Sequence, residues 1–288
     1  MFSGSLVALI TPFKNGVLDE KALRNLVRWQ LDKGTHGLVP VGTTGESPTL
    51  SEEEHKRVVE IVAAETAGQV PVIAGAGSNN PLEAVEYARH AQSAGADALL
   101  CVAGYYNRPS QEGLYQHFKL IHDSVDLPLI IYNIPPRAIV DISPETLARL
   151  AELPGVLGVK DATGDLAHIS QERMLINKDF SYLSGEDMTA VAYNASGGRG
   201  CISVSANVAP TLCAKMQSAC LEGDYTAALK HHDSLAPLHN AMFVEPSPAG
   251  VKYAASLLGL CSEECRAPIL PLSETSKQAI RNCLDIMG

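Results

Sequence analysis

The sequence predicts a (β/α)8 barrel followed by a short all-helical segment, and three observations carry that prediction. Short apolar, β-branched runs alternate with longer segments of helical period eight times within residues 1–223. Several helical segments end in a glycine that leads straight into the next run, as at Gly34 before Leu38-Val39 and Gly95 before Ala98-Leu99. Glycine accepts the left-handed backbone that stops a helix, so the recurrence marks one repeated βα unit. The third observation concerns the first run, which passes into Thr11-Pro12-Phe13. A doubly wound sheet usually has fewer strands and a Gly-x-Gly-x-x-Gly turn at that point.

The predicted strands are 6–10, 37–41, 71–75, 98–102, 128–134, 156–160, 180–184 and 201–204. Between and after them the helical period covers 19–33, 51–67, 81–94, 111–125, 144–153, 165–177, 189–196 and 209–221. From Asp224 the alternation stops. Residues 225–240, 248–259 and 273–287 read as three further helices, the last two separated by a proline-containing link at 266–272. The expected division is a catalytic barrel over 1–223 and a helical unit over 224–288, with a role in association.

Composition narrows the function. The 288 residues are 46% hydrophobic and 19% charged, with a formal net charge of −10. That acidity argues against nucleic acid or an anionic membrane as partner, because both select basic surfaces. The N-terminal residues have no basic leader, and no apolar run approaches a membrane span, so a cytoplasmic protein is expected. The seven cysteines, Cys101, Cys201, Cys213, Cys220, Cys261, Cys265 and Cys283, are odd in number and contain no Cys-x-x-Cys. Reduced thiols are expected, with no disulfide framework and no zinc site.

The chemistry is sought at the carboxyl ends of the strands, where βα barrels build their sites. The sixth run, residues 156–160, ends in Lys160 and passes directly into Asp161-Ala162-Thr163-Gly164-Asp165. An ammonium at the end of a strand covered on both faces is costly, and desolvation favours the neutral amine that attacks carbonyls, although a lysine that merely ends the strand and reaches to water suits this stretch equally. Lys252 has a similar apolar neighbourhood on a predicted helix, so the neighbourhood alone does not single out Lys160. The other strand ends bring Gly42-Thr43-Thr44-Gly45-Glu46-Ser47, Tyr105-Tyr106-Asn107-Arg108, Tyr132-Asn133 with Arg137, Gly185-Glu186-Asp187, and Ser203 with Ser205. An amine, a phenol, hydroxyls and a guanidinium suit a keto acid bound as a Schiff base beside a second carboxylate. Taken singly, Thr43, Thr44 and Glu46 equally suit helix capping, Tyr132 and Tyr105-Tyr106 suit packing, and Arg137 suits a solvated surface. Taken together at corresponding strand ends, they favour a site.

Two other chemistries fit poorly. A metal-dependent aldolase needs histidines at strand ends, whereas eight of the nine here fall in helical segments and His36 precedes a strand. A phosphate site needs glycine-rich loops after the last two strands, and Glu186-Asp187 stands there instead.

With these residues assembled, the chain resembles the dihydrodipicolinate synthase family of pyruvate-dependent class I aldolases, relatives of N-acetylneuraminate lyase. The resemblance spans nearly the whole chain, through Gly42-Thr43-Thr44-Gly45-Glu46-Ser47, Tyr105-Tyr106-Asn107-Arg108-Pro109, Tyr132-Asn133-Ile134-Pro135-Pro136-Arg137, Gly158-Val159-Lys160-Asp161, Ser184-Gly185-Glu186-Asp187 and Phe243-Val244-Glu245-Pro246. It implies that Lys160 forms a Schiff base with pyruvate, with neither metal nor organic cofactor. The enamine then attacks the aldehyde of L-aspartate 4-semialdehyde. Tyr132 is the implied acid and base, linked through Thr44 to Tyr106, and Tyr106 is implied to enter a neighbouring subunit's site in a homotetramer built as a dimer of dimers. Thr43 and Thr44 are implied to bind pyruvate with the main chain at Gly185 and Ile202, and Arg137 to bind the semialdehyde carboxylate.

The resemblance further implies feedback inhibition by L-lysine at Ser47, His55, Asn79, Glu83 and Tyr105. Glu52 departs from the basic or polar residue common at its position, as Gly104 and Ala249-Gly250 depart from proline and Ile-Pro. Arg137 favours the synthases over lyases of polyhydroxylated sugar acids. A barrel kept as a keto-acid sensor or scaffold would have no need of Lys160.

Overall fold

Eight parallel strands close around a common axis in the computed structural model, which describes residues 1–287. They are β1 Gly4–Ala8, β2 Gly37–Val39, β3 Ile73–Gly75, β4 Ala98–Val102, β5 Leu129–Asn133, β6 Val156–Asp161, β7 Ser181–Ser184 and β8 Gly200–Ser203. Apart from β2 and β3, each strand pairs with its sequence neighbours, and β1 pairs with both β2 and β8. A single bridge between Leu38 and Val72 joins β2 to β3 and completes the ring.

Alternation along the strands separates two apolar layers. Leu6, Ala8, Val39, Leu100, Ile130, Tyr132, Leu183 and Ile202 fill the barrel interior. Val7, Leu38, Leu99, Ile131 and Val159 point outward into the layer beneath the helices. Lys160 shares a register row with Tyr132 on one side and Leu183 on the other. That row lies near the carboxyl-terminal end of the interior.

The helices are α1 Glu20–Asp32, α2 Glu52–Thr66, α3 Pro81–Ala94, α4 Gln111–His122, α5 Pro144–Ala151, α6 Leu166–Leu175, α7 Ala190–Ala195 and α8 Pro210–Glu222. Their starts follow from side-chain caps that satisfy otherwise unpaired N–H groups. Asp19 accepts from the Ala22 N–H, Ser51 and Glu54 form a reciprocal capping box, and Asp165 accepts from the Ala167 N–H. Helix α4 stops short of the predicted residue 125, where Ser124 turns its hydroxyl back onto the Ile121 carbonyl at 2.7 Å.

The predicted barrel is therefore present, and each predicted strand and helix overlaps an observed one. Short elements were not foreseen: a hairpin pairing Phe13–Lys14 with Val17–Leu18, 3-10 turns at Ser47–Thr49 and Ser205–Asn207, and a helix of one turn at Pro135–Ala138. They are too brief for periodicity to register. Beyond α8 the chain is helical, as α9 Tyr225–Ala241, α10 Ala249–Leu257 and α11 Glu274–Met287. These helices share one continuous apolar cluster with the helical layer of the barrel, through Leu235, Leu238, Met242, Val251 and Ile280. Among the described residues no helix is long and apolar enough to cross a membrane.

Candidate active site

The turn after β2, residues 42–46, is shaped by backbone that only a few side chains tolerate. Val41 and Glu46 both adopt positive φ, 50° and 57°, in the left-handed region that strains residues bearing a Cβ. A buried contact compensates. Glu46 is enclosed, its Oε1 lies 2.6 Å from Lys252 Nζ on α10, and its Oε2 accepts from the Arg266 backbone N–H at 2.8 Å. The Thr11 hydroxyl closes the same turn by donating to the Gly45 carbonyl at 2.7 Å. Glu46 is thus neither a helix cap nor a ligand group; it anchors the turn that presents Thr43 and Thr44.

Lys160 lies at the carboxyl end of β6, nearly enclosed, with its ammonium 4.0 Å from the centroid of the Tyr132 ring. Gly185 makes room for its stem. A Cβ added there would stand 3.1 Å from Lys160 Cε and 2.8 Å from the Ala162 Cβ, so any larger residue displaces the lysine. The Gly185 N–H also donates to the Asp161 carbonyl at 2.6 Å, tying the loop after β7 to the strand that bears the lysine. Ile202 lies in the same interior cluster as Tyr132.

On the Tyr132 side opens a cavity of about 230 Å³, walled by Thr43, Ser47, Tyr105, Tyr132, Ile134 and Arg137 among others, while Lys160, Thr44, Gly185 and Ile202 lie outside its lining. Arg137 stands exposed on the one-turn helix that follows Pro135 and Pro136. A buried amine beside a phenol, with an exposed guanidinium on the cavity that the phenol lines, can hold a small keto acid covalently and a second carboxylate by charge.

Two strand-end groups, Asp187 and Asn133, frame the site. Asp187 is buried and accepts from the Ser203 hydroxyl at 2.5 Å and from the Val204 and Ser205 N–H groups at 2.9 and 3.0 Å, so it knits the loop after β7 to the end of β8. Beside it, burial raises the Glu186 carboxyl above its ordinary range. Asn133 spans Asp141 and Ile142 through its side chain, at 2.7 Å to Asp141 Oδ1 and 3.2 Å from the Ile142 N–H. The polar run Ser184 to Asp187 and the Tyr-Asn pair were visible in the sequence, but only as candidate ligands.

Tyr106 is placed apart. It is 85% exposed, at a left-handed φ of 69°. Thr44 itself is buried.

The family model for the dihydrodipicolinate synthetase family matches residues 1–287. The chain belongs to that family. A 4-hydroxy-tetrahydrodipicolinate synthase of Parvibaculum lavamentivorans is 60% identical over 288 residues, covering 100% of this chain and 99% of its own. The chloride-inhibited dihydrodipicolinate synthase of Acinetobacter baumannii, solved in complex with pyruvate, shares 42% identity and a TM-score of 0.97, with 99% of each chain covered. That of Cyanidioschyzon merolae, solved with lysine bound, shares 33% identity and a TM-score of 0.96 over 99% of this chain and 98% of its own.

In this dihydrodipicolinate synthetase chain, the five residues expected around lysine fall on adjoining surfaces, with Tyr87 stacked on His55 and sharing a groove with Glu83. Ser47 and Tyr105 line the central cavity, Asn79 lines a groove beside His117, and Glu83 faces another groove beside Glu52. His55 is buried and stacked on Tyr87 at 3.9 Å between centroids; burial lowers its pKa to about 4. Glu52 pairs with Lys56 one turn along α2.

Proposed function

We propose that the chain catalyses the condensation of pyruvate with L-aspartate 4-semialdehyde to 4-hydroxy-tetrahydrodipicolinate, the committing step toward diaminopimelate and lysine. The observation that carries the reading is the enclosed Lys160 ammonium 4.0 Å from the ring of Tyr132, which lines a cavity together with Arg137.

The Lys160 amine adds to the keto carbon of pyruvate, and loss of water leaves an iminium. Removal of a methyl proton gives the enamine, whose carbon forms the new bond to the aldehyde carbon of the semialdehyde. The semialdehyde amine then attacks the iminium carbon, closing the ring and releasing Lys160, so one water leaves per turnover. No organic cofactor is called for, since the iminium itself is the electron sink. Tyr132 is the group beside the amine able to move protons, and Thr44 is its route toward Tyr106 of a second subunit. Thr43, Thr44 and the main chain at Gly185 and Ile202 bind the pyruvate carboxylate, and Arg137 binds the semialdehyde carboxylate bidentately.

Exposure of Tyr106 on left-handed backbone supports its use across an interface, in a homotetramer of two dimers. The same assembly would complete an L-lysine inhibitor site around Ser47, His55, Asn79, Glu83 and Tyr105, a reading supported by their adjoining positions in one chain. The unpaired cysteines among the described residues fit a cytoplasmic enzyme. In a division of labour we assign to 1–223 and 224–288, the helical unit holds the catalytic turn through Lys252.

The test is a coupled assay that supplies both substrates with dihydrodipicolinate reductase and NADPH. Nicotinamide oxidation is expected with the wild type and absent with Lys160→Ala. Borohydride with pyruvate should leave a mass adduct on Lys160; a protein that neither turns over nor traps pyruvate is not this enzyme.

A further inference from the structure

On the outer side of β6, opposite Lys160, lies a cluster that the proposed reaction does not use. Asp161, the residue after the lysine, faces α6, where His168 and Glu172 stand one turn apart. All three are buried, and Glu172 is wholly enclosed. His168 Nδ1 lies 3.0 Å from Glu172 Oε1 and 3.9 Å from Asp161 Oδ2, and one donor atom from each of the three lies within 4.8 Å of the others. On its far edge, His168 Nε2 faces Asp141 Oδ2 at 3.8 Å.

The hydrogen bonding here is incomplete. Asp161 Oδ2, both nitrogens of His168 and both oxygens of Glu172 have no hydrogen-bond partner, the 3.0 Å approach being poorly aligned. Among the described residues neither Asp161 nor Glu172 is paired with a lysine or arginine. An enclosed carboxylate with no donor costs several kcal/mol, roughly, unless a charge compensates it. An imidazolium at His168 offsets only one of the two buried carboxylates, and a buried water supplies hydrogen bonds without supplying charge.

We infer that Asp161, His168 and Glu172 form a site for a divalent cation of the zinc type, which clamps α6 to the end of the strand bearing Lys160. The imidazole with two carboxylates is a donor set for borderline metals, in contrast to the all-oxygen sets preferred by magnesium and calcium. Donors about 2.0–2.1 Å from one ion lie roughly 3.0–3.4 Å apart, so closing the Asp161 side by a small rotation completes the triangle. Asp141 stands where a metal-bound histidine commonly directs its second nitrogen. A narrow crevice lined by Asp161, Asp165, Glu186 and Tyr193 reaches the Asp161 end of the cluster. The histidines' helical placement had argued against a metal at the catalytic centre. It says nothing of this site, which needs only a strand-end carboxylate and a His-Glu pair four residues apart on the facing helix.

The full-length protein, stripped with chelator and desalted, is titrated calorimetrically with zinc chloride alone, and its melting temperature is read with and without the ion. One equivalent per chain and a melting temperature raised by several degrees are expected for the wild type. Glu172→Gln and, separately, His168→Gln should lose that equivalent or weaken it by about ten-fold or more. Unchanged stoichiometry and affinity in both variants, or no tight equivalent in the wild type, overturns the inference. Cobalt(II) on the wild type provides a readout that requires no variant to fold. Visible bands without thiolate charge transfer support the site, whereas thiolate bands or no bands place the metal on cysteines or nowhere.

Discussion

Lys252 and Glu46, 206 residues apart, meet as a buried ion pair at 2.6 Å, and this contact ties α10 to the turn that presents Thr43 and Thr44. Phe13 lies beneath it, its ring centroid 4.2 Å from Lys252 Nζ and 4.2 Å from the Arg266 guanidinium carbon. The helical unit is therefore part of the site's foundation.

Breaking the pair from one side should be costly. Lys252→Met strands an enclosed carboxylate and is expected to lower unfolding free energy by about 3–5 kcal/mol. It should also raise the KM for pyruvate as the turn loses its anchor. The double variant Lys252→Met/Glu46→Gln removes both charges and should recover part of the stability. Urea denaturation at fixed protein concentration measures both effects; a double variant no more stable than the single one would show that the pair is not the anchor.

Gly185→Ala is a test of lysine placement without a change of charge. The new Cβ would lie 2.8 Å from Ala162 Cβ and 3.1 Å from Lys160 Cε, so the lysine stem must shift. Borohydride trapping of pyruvate should slow by about ten-fold or more, since small displacements of a reacting group carry large rate penalties. The circular dichroism spectrum should be unchanged.

Arg137→Ala should separate the two substrates. Loss of a bidentate carboxylate contact is expected to raise the KM for the semialdehyde by roughly 10–100-fold, about 1.4–2.8 kcal/mol. Pyruvate trapping on Lys160 should stay near the wild-type rate. Equal damage to both would move Arg137 out of the proposed role.

Two neighbours on α2 should give separate acid transitions. The Arg266 guanidinium contacts both oxygens of Glu54 at 2.6 Å and holds its carboxyl down at about 2. That lowered value stabilises the fold fully above about pH 4.5, and the contribution disappears as pH falls toward 2. Its size is of order 1–3 kcal/mol after solvent screening. His55, with its pKa lowered to about 4 by burial, stays neutral in the fold while the unfolded chain takes up its proton near 6.5. Stability should therefore decline from about pH 6.5 to 4, by roughly 2–3 kcal/mol. Glu54→Gln should flatten the lower limb and His55→Gln the upper one, read from denaturation midpoints across pH.

Local patterns were sufficient for the barrel. Eight apolar runs, helix-stopping glycines such as Gly34 and Gly95, and the lysine ending the sixth run all follow from residues within one turn or strand of each other. That is why the strand ends and most candidate rim residues could be named from sequence, Lys160 and Arg137 among them. The hairpin at 13–18 escaped because two-residue strands have no period to read.

The sequence by itself determined the repeating βα order, the place of Lys160 at a strand end and the set of polar groups at the rim, because these depend on the local spacing of apolar and turn residues. Only the tertiary structure decided that Glu46 is an anchor for Lys252, that Gly185 is the space Lys160 occupies, that Tyr106 faces outward, and that Asp161, His168 and Glu172 converge. Each of those facts depends on which residues meet across the closed ring, and separation along the chain carries no record of such meetings.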